Sequence, residues 1–137
     1  MRRISLFSLW LGNVGDLRDP AKLYEAQIRA VVDLAANEPF PQLPRDLIYC
    51  RFPLIDGSGN EPQLIRLAIQ TVAQLISADL PTLVCCSNGL SRTPAIAAAA
   101  VHAVQRRPLH DCLLLVAAQG HDVSPAFWQE VEAACLP

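Results

Sequence analysis

The chain has 137 residues, of which 52% are hydrophobic and 18% are charged. This composition argues against a disordered protein, and the length predicts one domain over residues 1–137 with a core that needs no disulfide or metal. The net charge of −2 argues against nucleic acid as a partner bound through bulk basicity. The five cysteines, an odd number with two adjacent, are typical of the cytoplasm rather than of a secreted protein.

The first eleven residues have the charged-then-apolar order of a secretory signal. Two serines interrupt the apolar stretch, and Gly12-Asn13 follows where a signal would have a cleavage site. We therefore expect a first β-strand over residues 4–11. Because no apolar run is long enough to span a bilayer, we expect no membrane partner.

The rest of the chain alternates apolar strands with amphipathic helices. Predicted strands are Ala30–Ala35, Leu47–Phe52 and Thr82–Cys85; predicted helices are Asp19–Ile28, one from Glu61 to Ile76 capped by Asn60, Pro94–Val104, Leu109–Gln119, and Pro125–Ala134 capped by Ser124. The helix Pro94–Val104 is apolar on all faces, which predicts burial at the centre of the domain. The alternation predicts an α/β fold with a central, mainly parallel sheet of four to five strands and helices on both faces.

The stretch from Cys86 to Arg92 contains the residues that most clearly indicate a functional site. The cysteine ends an apolar strand, a short polar segment with one glycine follows, and the arginine opens a helix. A loop folded back into a helix N-terminus points several amide groups at one spot and makes an anion site, where Arg92 can grip two phosphate oxygens. The same positive potential favours the thiolate form of Cys86, which is a nucleophile.

This stretch resembles the signature loop of the protein tyrosine phosphatase superfamily, specifically that of the small dual-specificity phosphatases. The resemblance extends to Leu9–Asn13, similar to the family's opening strand and turn, and to Pro53–Asp56, similar to its general-acid loop. It implies a protein tyrosine phosphatase-like fold and a phosphocysteine intermediate. Phosphate would be held by the loop residues Ser87, Asn88, Gly89, Leu90, Ser91 and Arg92.

The resemblance also implies roles for Asp56 and Thr93. Asp56 would protonate the leaving oxygen from a flexible turn among Gly57, Ser58 and Gly59, because an unprotonated alkoxide or phenolate leaves poorly. Thr93 would help the thiolate depart, and a helix-capping role for its hydroxyl is compatible with this. An ordinary turn aspartate is the competing interpretation of Asp56.

One residue departs from the family pattern, since Cys85 stands where the family usually has a histidine. The histidine orders the loop and stabilises the thiolate, so its absence bears on how strongly Cys86 is activated. Alternation along the strand predicts that Cys85 points away from the face of Cys86, as a core thiol. A redox role, in which Cys50 or Cys85 traps an oxidised Cys86, is the alternative.

The expected function is hydrolysis of phosphotyrosine, and to some extent phosphoserine or phosphothreonine, in a phosphorylated protein or a small phosphomonoester. No Cys or His pair has metal-ligand spacing, so we expect no metal and no cofactor. We further expect a monomer. The alternatives are an inactive phosphate-binding module, or an enzyme resembling a rhodanese or an arsenate reductase, which use a similar loop.

Overall fold

The computed structural model describes residues 1–136. The strands are β1 (Arg2–Ile4), β2 (Leu9–Asn13), β3 (Ala30–Ala35), β4 (Ile48–Leu54) and β5 (Thr82–Cys86); the helices are α1 (Pro20–Glu25), α2 (Pro62–Ser77), α3 (Arg92–Gln105), α4 (Leu109–Val116) and α5 (Pro125–Ala134), with a short 3₁₀ turn at Asp16–Arg18.

The five strands form one sheet in the order β1-β2-β5-β3-β4. The strands β2, β5, β3 and β4 run parallel, and β1 joins the edge of β2 antiparallel. The predicted α/β class with a mainly parallel sheet of four to five strands is confirmed. β5 is the central strand, and the residues after its carboxyl end lie where proteins with parallel sheets usually bind ligands.

Helices cover both faces of the sheet, but unequally. The larger core packs α2, α3, α4 and α5 against one face and includes Val32, Val84 and Phe127. The smaller core lies under α1 and the 3₁₀ turn on the other face. Every residue of α3 from 92 to 101 is buried, which confirms the prediction of a central buried helix.

Several predicted boundaries were wrong. The single N-terminal strand is a hairpin, because residues 5–8 form a turn in which the Ser8 hydroxyl donates to Asp79. Helix α1 ends at Glu25 because the chain turns into a left-handed conformation at Gln27, where φ is 60°. Helix α4 ends at Val116 rather than Gln119. Helix α3 begins at Arg92, as predicted from the loop, and therefore starts two residues before the apolar run Pro94–Val104.

The predicted cap of α2 was also wrong. Residue 61 occupies the cap position and makes no side-chain capping hydrogen bond. The Asn60 side chain turns instead toward the preceding loop and bonds Ile55 and Gly57. The predicted capping of α5 by Ser124 is confirmed, since its hydroxyl accepts from the Phe127 amide at 3.3 Å. Among residues 1–136, no helix has both the length and the apolarity needed to cross a membrane.

Candidate active site

Cys86 lies at the carboxyl end of the central strand β5. Its carbonyl accepts a hydrogen bond from the Val14 amide at 3.0 Å, which joins the start of the loop to the end of β2. The side chain is 1% exposed and contributes to the wall of a cavity of about 320 Å³. The nine residues lining this cavity are Ala36, Asn37, Leu54, Ile55, Asp56, Cys86, Ser87, Asn88 and Arg92. Three of the predicted catalytic residues, Cys86, Arg92 and Asp56, therefore share one cavity.

The loop after Cys86 turns back closely over β2. Gly89 has a φ of +81°, and a Cβ placed there would lie 2.7 Å from the Gly12 carbonyl oxygen. Glycine is thus required both by the left-handed backbone and by the contact with Gly12. The loop must fold sharply at this point to bring residues 90 and 91 back toward α3.

The amide groups of this loop are largely free for an anion. Within residues 1–136, the amides of Asn88, Gly89, Ser91 and Arg92 donate to no protein acceptor, whereas the Leu90 amide donates to the Asn88 side chain at 3.0 Å. Of these residues, Asn88 and Arg92 line the cavity, whereas Gly89 lines a neighbouring pocket beside Gly12. Unpaired amides in a loop that borders the cavity, together with the N-terminus of α3, are suited to binding an anion. The predicted contribution of the Leu90 amide requires the Asn88 side chain to release it.

The Arg92 guanidinium is 5% exposed and fixed on one side. Its Nη1 donates to the Leu54 carbonyl at 2.8 Å and to Asn37 Oδ1 at 3.0 Å, and its Nη2 donates to Ser87 Oγ at 3.0 Å. The Nε is buried and has no partner within the described residues. A buried arginine with a free N–H is ready to bind an anion, since an unsatisfied charged donor is costly to bury.

Asn37 is a site residue that sequence reasoning missed. Its amide bridges the arginine and the loop, because Oδ1 accepts from Arg92 while Nδ2 donates to Ser87 Oγ at 3.0 Å. In the sequence, Asn37 belongs to none of the motifs that indicate a site. It is 50 residues from Ser87 in the sequence, so no local pattern connects the two. The one available signal was its position just after the buried strand β3.

Asp56 follows β4 and is exposed at the cavity. Its Oδ1 accepts a hydrogen bond from Ser91 Oγ at 2.5 Å, which ties it to the residue preceding Arg92. The same Ser91 oxygen accepts from the Ser124 amide at 2.9 Å, at the start of α5. The structure therefore brings the predicted acid next to the predicted phosphate loop.

The turn that carries Asp56, predicted to be flexible, is held by hydrogen bonds to Asn60. The Ile55 amide donates to Asn60 Oδ1 at 2.7 Å, and Asn60 Nδ2 donates to the Ile55 and Gly57 carbonyls, both at 3.1 Å. The Gly57 amide also donates to the Ile55 carbonyl at 2.9 Å. Asn60 therefore fastens both sides of Asp56.

Thr93 and Cys85 flank the Cys86–Arg92 loop and have different surroundings. Thr93 is fully buried at the start of α3, and its hydroxyl has no hydrogen-bond partner within the described residues.

Cys85 packs in the smaller core with Val31 and Leu83, whereas Cys86 belongs to the larger core, so the predicted alternation is confirmed. Burial, followed by the charge of Asp33, raises the pKa of Cys85 far above that of a free thiol. Cys85 is thus a neutral core residue.

Residues 1–136 contain no cluster of three or more His, Cys, Asp or Glu side chains placed to hold a metal ion.

The fold defines a class, that of proteins with the architecture of the dual-specificity phosphatases. Human DUSP28 superposes with a TM-score of 0.81 at 22% identity, covering 93% of this chain and 90% of its own. A mouse putative dual-specificity phosphatase, crystallised with zinc tungstate, gives a TM-score of 0.83 at 20% identity over 96% of this chain and 84% of its own. DUSP15 gives 0.76 at 24% identity, with 93% and 83% covered. At 20–24% identity, the similarity to these three structures establishes the fold alone.

The family follows from the sequence itself. The family described as "Polymorphic toxin system, DSP-PTPase phosphatase" matches residues 16–104, and the chain belongs to it. This match spans β3, the Asp56 turn, the Cys86–Arg92 loop and most of α3, and ends before α4. No curated protein matches the chain.

Proposed function

We propose that this protein is a cysteine-dependent phosphatase that hydrolyses phosphomonoesters through a phosphocysteine intermediate. The observation that carries the proposal is the convergence of Cys86, Arg92 and Asp56 on one cavity. Cys86 ends β5, Arg92 begins α3, and Asp56 lies in the turn two residues after β4. Each supplies a different requirement of phosphoryl transfer, namely nucleophile, charge stabilisation and proton donor.

In the first step, the Cys86 thiolate attacks phosphorus. An S–P bond forms, the P–O bond to the leaving group breaks, and the leaving oxygen takes the proton of Asp56. The free loop amides and Arg92 Nε bind the equatorial oxygens, whose charge is spread in the transition state. The Arg92 contacts with Leu54 and Asn37 hold the guanidinium in place before substrate arrives.

In the second step, water attacks the phosphocysteine. Asp56 accepts a proton from the water as the new P–O bond forms and the S–P bond breaks, which returns the Cys86 thiolate and leaves phosphate. The Thr93 hydroxyl has no hydrogen-bond partner within the described residues, and in this proposal it turns toward the sulfur of Cys86 and stabilises the departing thiolate. Asp56 ends protonated, as the next cycle requires.

The lining of the cavity favours substrates with a single phosphate. Arg92 is the only cationic residue among the nine that line the cavity, and the chain's one lysine, Lys22, is engaged by Asp16. A polyphosphorylated ligand would need more positive charge than this. We therefore propose phosphotyrosine, with some phosphoserine or phosphothreonine, as the substrate class. The nucleophile requires a reducing compartment such as the cytoplasm, since a thiolate is readily oxidised.

The test is turnover of phosphotyrosine and phosphothreonine peptides in the presence of a chelator, compared between the wild type and Cys86→Ser. We expect metal-independent release of phosphate by the wild type and none by the variant, while vanadate still binds the variant through the amides and Arg92. Cys50→Ser, a thiol outside the cavity, is the matched control and should keep full activity. Peptide binding without turnover in the wild type would instead identify a phosphate-binding module.

A further inference from the structure

The last helix contacts the loop that carries the predicted acid. Glu130 of α5 accepts three hydrogen bonds from the segment just after Asp56. Its Oε2 accepts from the Gly59 amide at 3.0 Å, and its Oε1 accepts from the Asn60 amide at 3.2 Å and from Asn60 Nδ2 at 2.9 Å. Glu130 lies 70 residues from Asn60 in the sequence and outside the residues matched by the family.

These contacts continue to Asp56 through one side chain. The two N–H groups of Asn60 Nδ2 are shared among three acceptors, namely Glu130 Oε1 and the carbonyls of Ile55 and Gly57 on either side of Asp56. The Asn60 side chain is buried, so these bonds have little competition from water. Desolvation opposes ionisation of Glu130, but the hydrogen bonds from Asn60 and Gly59 outweigh it and lower the pKa of its carboxyl. Glu130 is therefore a carboxylate at neutral pH.

A second contact from the start of α5 holds the other side of the acid. The Ser124 amide donates to Ser91 Oγ, and that hydroxyl donates to Asp56 Oδ1. Helix α5 thus reaches Asp56 by two routes, one through the backbone of its turn and one through its carboxylate. A helix that only filled the core would need neither contact.

We propose that Glu130 is a positioning residue for the acid step, acting through Asn60 to hold the Asp56 turn against the Cys86–Arg92 loop. The inference rests on the proposed function, since it assigns Glu130 a part in the proton transfer by Asp56. Glu130 itself does not line the cavity or touch the reacting atoms. Its loss should therefore damage the acid step while leaving the nucleophile and the anion site intact.

The experiment compares kcat on two substrates whose leaving groups differ in their need for a proton. With phenyl phosphate, whose leaving group is poor, Glu130→Ala should lower kcat by about 10- to 100-fold, below the ~10²–10⁴-fold that a general acid supplies. With an activated aryl phosphate, such as difluoromethylumbelliferyl phosphate, kcat should change less than about threefold. Vanadate affinity should be unchanged. Glu132→Ala, on the exposed side of the same helix, is the matched control and should resemble the wild type.

A double variant separates positioning from general damage. If Glu130 acts through Asp56, then Glu130→Ala should have no further effect on phenyl phosphate turnover once Asp56 is replaced by asparagine. Glu130→Gln, which retains one acceptor oxygen, should fall between the wild type and Glu130→Ala, and it carries the test if the alanine variant does not fold. Equal slowing of both substrates, no slowing, or additive losses in the double variant would each overturn the inference. Absence of Cys86-dependent turnover in the wild type would instead refute the proposed function.

Discussion

Replacing Arg92 with lysine keeps one positive charge but removes the planar fork. In the structure, Nη1 donates to Leu54 and Asn37 and Nη2 donates to Ser87, whereas Nε has no partner among residues 1–136. A phosphoryl group can therefore take Nε together with Nη2 if Ser87 yields. A lysine at this position has a single donor nitrogen, which cannot bind the Leu54 carbonyl and two substrate oxygens in the planar geometry of a guanidinium.

The magnitude follows from the number of donors lost. Removing one preorganised donor from a developing oxyanion costs roughly 2.7–4 kcal/mol, or about 10²–10³-fold in kcat. Arg92→Lys loses at least one such donor and also weakens the bridge to Asn37 that positions the rest. We therefore expect kcat to fall on the order of 10³-fold or more, with a smaller effect on folding stability because the charge stays partly satisfied by Leu54.

The assay is steady-state hydrolysis of an activated aryl phosphate, with stability checked by urea denaturation. Arg66→Lys, on α2 and away from the cavity, is the matched control and should leave kcat within about threefold of the wild type. An Arg92→Lys variant that is folded and retains near-normal kcat would refute the reasoning, because it would show that the guanidinium does not hold the transferring phosphoryl group.

Three further outcomes are expected. Gly89→Ala should cost at least about 1–2 kcal/mol of stability in urea and lower kcat, because its left-handed φ and its contact with the Gly12 oxygen both exclude a Cβ; unchanged kcat would contradict the loop geometry. Asp56→Asn should slow phenyl phosphate far more than an activated aryl phosphate in kcat measurements, and equal slowing would point to another acid. Burial opposes ionisation of Asp16, but the hydrogen bonds from Lys22 and a backbone amide outweigh it and lower the pKa of its carboxyl. Ionised Asp16 therefore stabilises the fold at a pH above its pKa in the unfolded chain, and this stabilisation is lost as the pH falls through its pKa in the folded protein. The stability difference between wild type and Asp16→Asn should thus be larger at pH 7 than at pH 3 by urea denaturation, and a difference independent of pH would contradict it.

The parts of the site that could be predicted from the sequence are formed by residues close together in the chain. The loop from Cys86 to Arg92 is contiguous, and its flanking strand and helix have clear apolar patterns, so its position in the fold followed from the order of residues. Asp56 followed from the resemblance of Pro53–Asp56 to a known loop. These predictions needed no knowledge of distant contacts.

The parts that were missed depend on contacts between distant segments. Asn37 and Glu130 meet the site from positions 50 and 70 residues away from their partners, and neither residue type is unusual in a loop or on a helix surface. Asn60 was predicted to cap α2 because asparagine is favoured at that position. Its side chain instead forms hydrogen bonds with Ile55 and Glu130. The N-terminal hairpin was missed because its turn contains Leu6 and Phe7, which prolong the apolar pattern through four turn residues.

The central claim is that Cys86 forms a bond to phosphorus. The most direct measurement is mass spectrometry of the peptide that contains Cys85 and Cys86 after rapid denaturation during turnover of an aryl phosphate. We predict one added phosphoryl group, localised to Cys86 by fragmentation, in the wild type and none in Cys86→Ser. Turnover with no phosphoryl group on Cys86, or with the group on another residue, would contradict the account.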